Sequence, residues 1–136
     1  MRSITFETHA FPTAPEGDLD HNNGMPGLEL AKWLRNAVED AGLPCSEPMQ
    51  EDYGWGFWLR SDCTIWVAVS FAGGTQHEEH ACPEWVVSVV HERPIIWPTQ
   101  WFKEKKSRPI VESAFAAIRK VVAQNPNIRV LRDVEA

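Results

Sequence analysis

Glu51-Asp52-Tyr53-Gly54-Trp55-Gly56-Phe57-Trp58-Leu59-Arg60-Ser61-Asp62-Cys63-Thr64-Ile65-Trp66-Val67-Ala68-Val69-Ser70-Phe71 is the stretch whose reading decides the fold. Large apolar residues alternate with small or polar ones on both sides of a polar turn, the period of two strands with one face in a core. A three-residue loop, Ser61-Asp62-Cys63, sets Trp55, Phe57 and Leu59 on one face with Ile65, Val67 and Val69. A two-residue turn would mix Thr64 and Trp66 into that set, because a one-residue slip moves every side chain to the other side. The apolar register therefore pairs Trp58 with Trp66 on the second face, among Gly54, Gly56, Arg60, Thr64, Ala68 and Ser70.

Working outward, Ile4 and Phe6 alternate with Ser3, Thr5 and Glu7, which predicts a first strand over residues 2–9. Phe11 to Pro26 is rich in Pro, Gly, Asp and Asn and reads as a long loop. Gly27 to Ala41 carries Leu28, Ala31, Leu34, Val38 and Ala41 at three- and four-residue spacing, with Leu30, Trp33 and Ala37 widening the stripe, and reads as an amphipathic helix. Asn22 or Asn23 is its expected cap with Pro26 in the first turn, and Gly42 suits a left-handed C-cap before Pro44. Leu43 to Gln50 then crosses toward the hairpin.

Beyond the hairpin, Ala72 to Pro83 is an open loop, and Glu84 to Glu92 is a third strand with two apolar faces, suited to the centre of a sheet. Pro94 and Pro98 bracket an extended edge or connector, and Trp101 and Phe102 are expected in a short turn. A second helix is predicted from Pro109 to Gln124, with a stripe of Val111, Ala114, Phe115, Ile118 and Val121 or Val122 and a stop at Asn125-Pro126. Asn127 to Val134 reads as a last strand. The order β-α-β-β-β-α-β predicts a single α+β domain over residues 1–136, a mainly antiparallel sheet of four or five strands with two helices on one face. Two helices leave the second sheet face, the one carrying Trp58 and Trp66, to solvent or to another molecule.

At 136 residues, 43% apolar and 24% charged, the chain has the composition of one soluble globular domain. A net charge of −6 argues against direct phosphate binding to nucleic acid and leaves a basic partner open. No window approaches a membrane span, and the N-terminus has no signal or transit pattern, so a cytoplasmic protein is expected. Cys45, Cys63 and Cys82 lack C-x-x-C spacing and are expected as reduced thiols. Seven Trp stand against one Tyr, and most of the indoles are expected as core filler.

Candidate chemistry is sparse. His77, His80 and Cys82 are the weak candidates for a metal, although the order His-Glu-Glu-His is not the H-E-x-x-H helix motif and a solvated acidic loop explains it as well. Glu51 and Asp52 could pair as an acid and a base, but neighbours entering a strand point to opposite sides, and capping or binding a basic group is the simpler use. No nucleophile elbow, catalytic cysteine context or phosphate-cradling glycine loop is present, so no enzyme activity and no cofactor are expected. Trp58 and Trp66, flanked by Arg60, form a recognition platform in one reading and a second small core under a loop such as Phe11 to Pro26 in the other.

The run Glu51-Asp52-Tyr53-Gly54-Trp55-Gly56-Phe57, following a helix that ends in Ala41-Gly42-Leu43, resembles small uncharacterised bacterial proteins in which Glu-Asp-aromatic-Gly-Trp opens a strand. That resemblance implies a bacterial, cytosolic, accessory role and no particular activity. The expected function is a non-enzymatic interaction module of bacterial or phage origin, of the kind that occludes a partner surface as immunity or anti-defence inhibitors do. Trp58, Trp66, Arg60, Glu51, Asp52, Glu78 and Glu79 are its expected partner-binding residues, with a protein partner, basic in character. The alternatives are a small metal-binding or small-molecule-binding domain and a homodimeric structural domain.

Overall fold

The computed structural model describes residues 1–13, 25–61, 63–73, 82–92 and 99–135, the last of these with side chains from 105 to 134. Among the described residues six strands form one antiparallel sheet: β1 (Arg2–Thr8), β2 (Met49–Glu51), β3 (Gly54–Leu59), β4 (Ile65–Gly73), β5 (Glu84–His91) and β6 (Ile128–Glu135). Their spatial order is β2-β3-β4-β5-β1-β6. Two helices, α1 (Leu28–Asp40) and α2 (Thr99–Gln124), pack against each other and against the sheet. The architecture is the α+β domain the sequence predicts, with one strand more. No helix among the described residues is long and apolar enough to cross a membrane.

The hairpin register follows from burial. Leu59 pairs with Ile65, Phe57 with Val67 and Trp55 with Val69, and all six are buried. Beneath them lie Leu30, Leu34, Val38, Phe115 and Ile118 from the helices, with Ile4, Phe6, Trp85, Val87 and Val89 from β1 and β5. β5, apolar on both faces, runs between β4 and β1 as its sequence predicts. The β1–β6 ladder carries a bulge where Thr5 pairs with Arg132 but Phe6 pairs with Val130, so Leu131 has no opposite number.

Three segments depart from expectation. Leu43 to Gln50 is more than a crossing: Cys45 bridges Leu59, the Ser46 N–H donates to the Trp58 carbonyl while its hydroxyl accepts from the Trp58 N–H, and Met49–Glu51 adds a strand to the free edge of β3. α2 begins ten residues before Pro109, so Trp101 and Phe102 lie within the helix rather than in a turn and Pro109 is internal. Proline lacks the N–H that would reach Lys105, but one lost bond in 26 residues does not end the helix when the turns beyond it dock on the sheet.

At α1, Pro26 precedes the helix rather than opening it, and Gly27 is the N-cap at φ 132°, without a side-chain cap. Asn22 and Asn23 lie outside the described residues. A Cβ on Gly27 would stand 3.3 Å from Trp55 and 3.4 Å from Trp85, so the bare backbone is what lets the helix start against two indoles. At the other end Gly42, at φ 92°, donates to the Glu39 carbonyl at 2.9 Å and Leu43 donates to Val38 at 3.3 Å. That pair of bonds is the Schellman ending.

Candidate functional site

Positions one residue out of phase with the core line the second sheet face: Gly54, Gly56 and Trp58 on β3, Trp66, Ala68 and Ser70 on β4, Val86, Ser88 and Val90 on β5. The small residues among them make room for the large ones. A Cβ on Gly56 would fall 2.1 Å from Cζ2 and 2.5 Å from Cε2 of Trp66, so the Trp66 indole lies flat across the backbone of β3. Trp58, its cross-strand partner, packs against it with ring centroids 4.5 Å apart and planes tilted by 55°. The third member is Tyr53, in the two-residue turn between β2 and β3, whose hydroxyl accepts a hydrogen bond from Trp66 Nε1.

The two tryptophans therefore differ in role. Trp66 is only 4% exposed, wedged between Gly56 and Trp58, with its N–H satisfied. Trp58 is part-exposed, while Tyr53 and Met49 are each 39% exposed. Met49 pairs with Gly56 and so projects on the same face. Buried Trp66 is the support, and Trp58, Tyr53 and Met49 present the surface.

Carboxylates surround this surface. Tyr53 has its pKa raised, chiefly by burial; the Trp66 hydrogen bond opposes the shift and the charges of Glu51 and Glu92 add to it. The phenol is therefore neutral across the physiological range, and both carboxylates are near enough to act on it. Glu51 pairs with Gly54 at the end of β2, Asp52 is exposed in the turn, and Glu92 is exposed just past β5, its N–H bonded to the Thr64 carbonyl at 2.8 Å. Arg60 is exposed just past β3, its backbone N–H held by the Pro44 carbonyl.

Of the residues singled out in the sequence, the fold brings Trp58, Trp66 and Glu51 together and puts Asp52 at the adjoining turn. His77, Glu78, Glu79 and His80 lie outside the described residues. Cys82 is half-buried ahead of β5, its thiol pKa raised by burial and by Glu7 and opposed by Arg129. Among the described residues no three His, Cys, Asp or Glu side chains gather where they could hold a metal ion. Cys45 is buried, and its pKa is pushed up to about 11 by desolvation, with Glu39 adding and Arg35 opposing; it is a thiol at neutral pH. Ser107 Oγ meets His91 Nδ1 at 3.1 Å, a contact between a buried serine and a part-buried histidine that joins α2 to β5.

Tyr53, Met49 and Glu92 were not legible as site residues. The available signal was the single tyrosine between Asp52 and Gly54, but placing it over Trp66 requires β2, which has no alternation of its own. No family model, curated protein or solved structure matches the chain.

Proposed function

We propose that the chain is a non-enzymatic protein-interaction module that docks a partner carrying basic side chains on the open sheet face around Tyr53, Trp58 and Met49. The observation that carries this reading is the build of that face: three exposed or part-exposed large side chains stand on a buried, hydrogen-bonded Trp66, opposite the face that both helices cover. Such a surface is rigid before the partner arrives, so little ordering entropy is lost on binding. Aromatic rings edged by Glu51, Asp52 and Glu92 attract guanidinium and ammonium groups both through their π faces and through charge. Occluding a partner's basic surface, as immunity and anti-defence inhibitors do, fits the acidity and size of the chain by analogy of class.

The test is affinity capture from the native host with two baits, the wild-type chain and a Tyr53→Ala/Trp58→Ala double variant of matched thermal midpoint. A basic protein retained by the first, released by salt and not retained by the second is the expected result. Equal retention by both baits, or no protein retained by the wild type, overturns the proposal.

A further inference from the structure

The net charge of −6 conceals a division. α2 carries six basic residues, Lys103, Lys105, Lys106, Arg108, Arg119 and Lys120, against Glu104 and Glu112, a net of +4; the rest of the chain holds the other seven basic and 17 acidic residues, a net of −10. Four of the six lie in the N-terminal half of the helix, where the helix dipole does not favour cations, so helix stability supplies no reason for them. Nor do internal ion pairs account for the two that matter most here. Arg119 is engaged with Asp133, but Lys106 and Arg108 are exposed and pair with no acidic group among the described residues.

The same holds with opposite sign beside the aromatic surface. Other carboxylates are matched internally: on the sheet Glu7 with Arg129, Glu84 with Arg132 and Asp133 with Arg2, and on α2 Glu112 with Arg2. Asp52 and Glu92 are exposed and have no cationic partner among the described residues. The Ser107–His91 hydrogen bond seats the basic turn of α2 on β5 one residue before Glu92, so these cations and one of these anions belong to neighbouring segments.

We infer that the open face is a self-association surface whose occupant is a second copy of this chain, with Lys106 and Arg108 of one copy's α2 docked between Asp52 and Glu92 of the other. The inference rests on reading that face as a docking surface and names its basic partner. Two unmatched cations meet two unmatched anions, and the arginine has aromatic rings to stack on. Self-pairing would also keep the exposed aromatics covered until a tighter basic partner displaces the second copy.

Sedimentation of the full chain over a range of concentrations, at low and high salt, tests it. The wild type should gain mass with concentration and lose it with salt. Lys106→Glu/Arg108→Glu and Asp52→Lys/Glu92→Lys should each self-associate on the order of tenfold or more weakly, and an equimolar mixture of the two should recover the dimer, since each supplies the charge the other has reversed. All four positions are exposed, and unchanged thermal midpoints confirm folding; should a double variant melt early, Arg108→Glu and Glu92→Lys alone are read the same way. A wild type that stays monomeric throughout, or a mixture that fails to recover the dimer, overturns the inference. A monomeric wild type that still captures a foreign basic protein through Tyr53 and Trp58 overturns self-pairing alone, whereas capture and mass that are both indifferent to Tyr53→Ala/Trp58→Ala overturn the docking face as well.

Discussion

The two faces of the sheet come from the same hairpin strands, one residue out of phase, and they bury their aromatic residues by different means. On the helix side Phe57 and Trp85 are fully buried under side chains brought from α1 and α2, so burial there depends on contacts distant in sequence. On the open side Trp66 is buried by Gly56, Trp58 and Tyr53, all within thirteen positions of it. The first face also uses a bare backbone, at Gly27, and an acceptor, the Met25 carbonyl that takes the Trp55 N–H at 3.0 Å, but most of its burial comes from apolar volume on the helices. The second needs a glycine at one place and a hydrogen-bond acceptor at another, because an indole N–H taken from water without a partner is costly.

Truncation on the helix side should have the largest effect. Phe57→Ala empties a fully buried site and should cost about 4 kcal/mol, read from the shift in a urea or thermal unfolding curve. A loss under about 1 kcal/mol would mean that the helix-covered face is not the main core.

Adding a methyl on the open side should come next. The Cβ of Gly56→Ala would meet the Trp66 ring at 2.1 Å and the Val67 carbonyl oxygen at 2.6 Å. Because one of those neighbours is backbone, we expect a loss of about 3 kcal/mol, at the upper end of overpacking effects, together with changed tryptophan fluorescence as the indole lifts. A neutral Gly56→Ala would erase the distinction between the faces, since Trp66 would then need no bare backbone beneath it.

Removing only the acceptor should cost less. Tyr53→Phe keeps the ring and leaves the Trp66 N–H without its hydroxyl partner, so about 1 kcal/mol is expected, with no effect when Trp66→Phe is already present. The two changes being additive would show that the hydrogen bond is not formed in solution.

The smallest effect is on titration. The chain has a single tyrosine, so phenolate absorbance reports Tyr53 alone. Its midpoint should lie above the ordinary value near 10 in the folded chain, return toward that value in denaturant, and rise further in Trp66→Phe, because the lost hydrogen bond favours the charged form. Since the folded pKa is the higher one, the contribution to stability is present below the unfolded pKa and is lost as pH climbs through the folded pKa. Tyr53→Phe should flatten that alkaline decline.

Much of the fold could be read locally. The apolar set Trp55, Phe57, Leu59, Ile65, Val67 and Val69 identified both the hairpin register and the face it buries, since pairing by one residue more or less would have exposed half of it. Gly42 announced the end of α1, and the two apolar faces of β5 announced a central strand. Where reading failed, the signal was not local. Met49-Gln50-Glu51 has no strand pattern; it is a strand because β3 offers it a free edge. The ten residues of α2 before Pro109 carry no apolar stripe, and the proline resembled a beginning until the docked turns beyond it showed that the helix passes through.

The sequence by itself determined which residues share a face, because the periods of strand and helix act over a few positions and need no partner. It also placed Trp58 opposite Trp66. Only the tertiary structure decided that these two differ, one sealed over Gly56 and the other left at the surface, and that Tyr53 completes the arrangement. Those are contacts across strands, where exposure depends on what lies on the neighbouring chain segment and not on the residue's own place in the pattern.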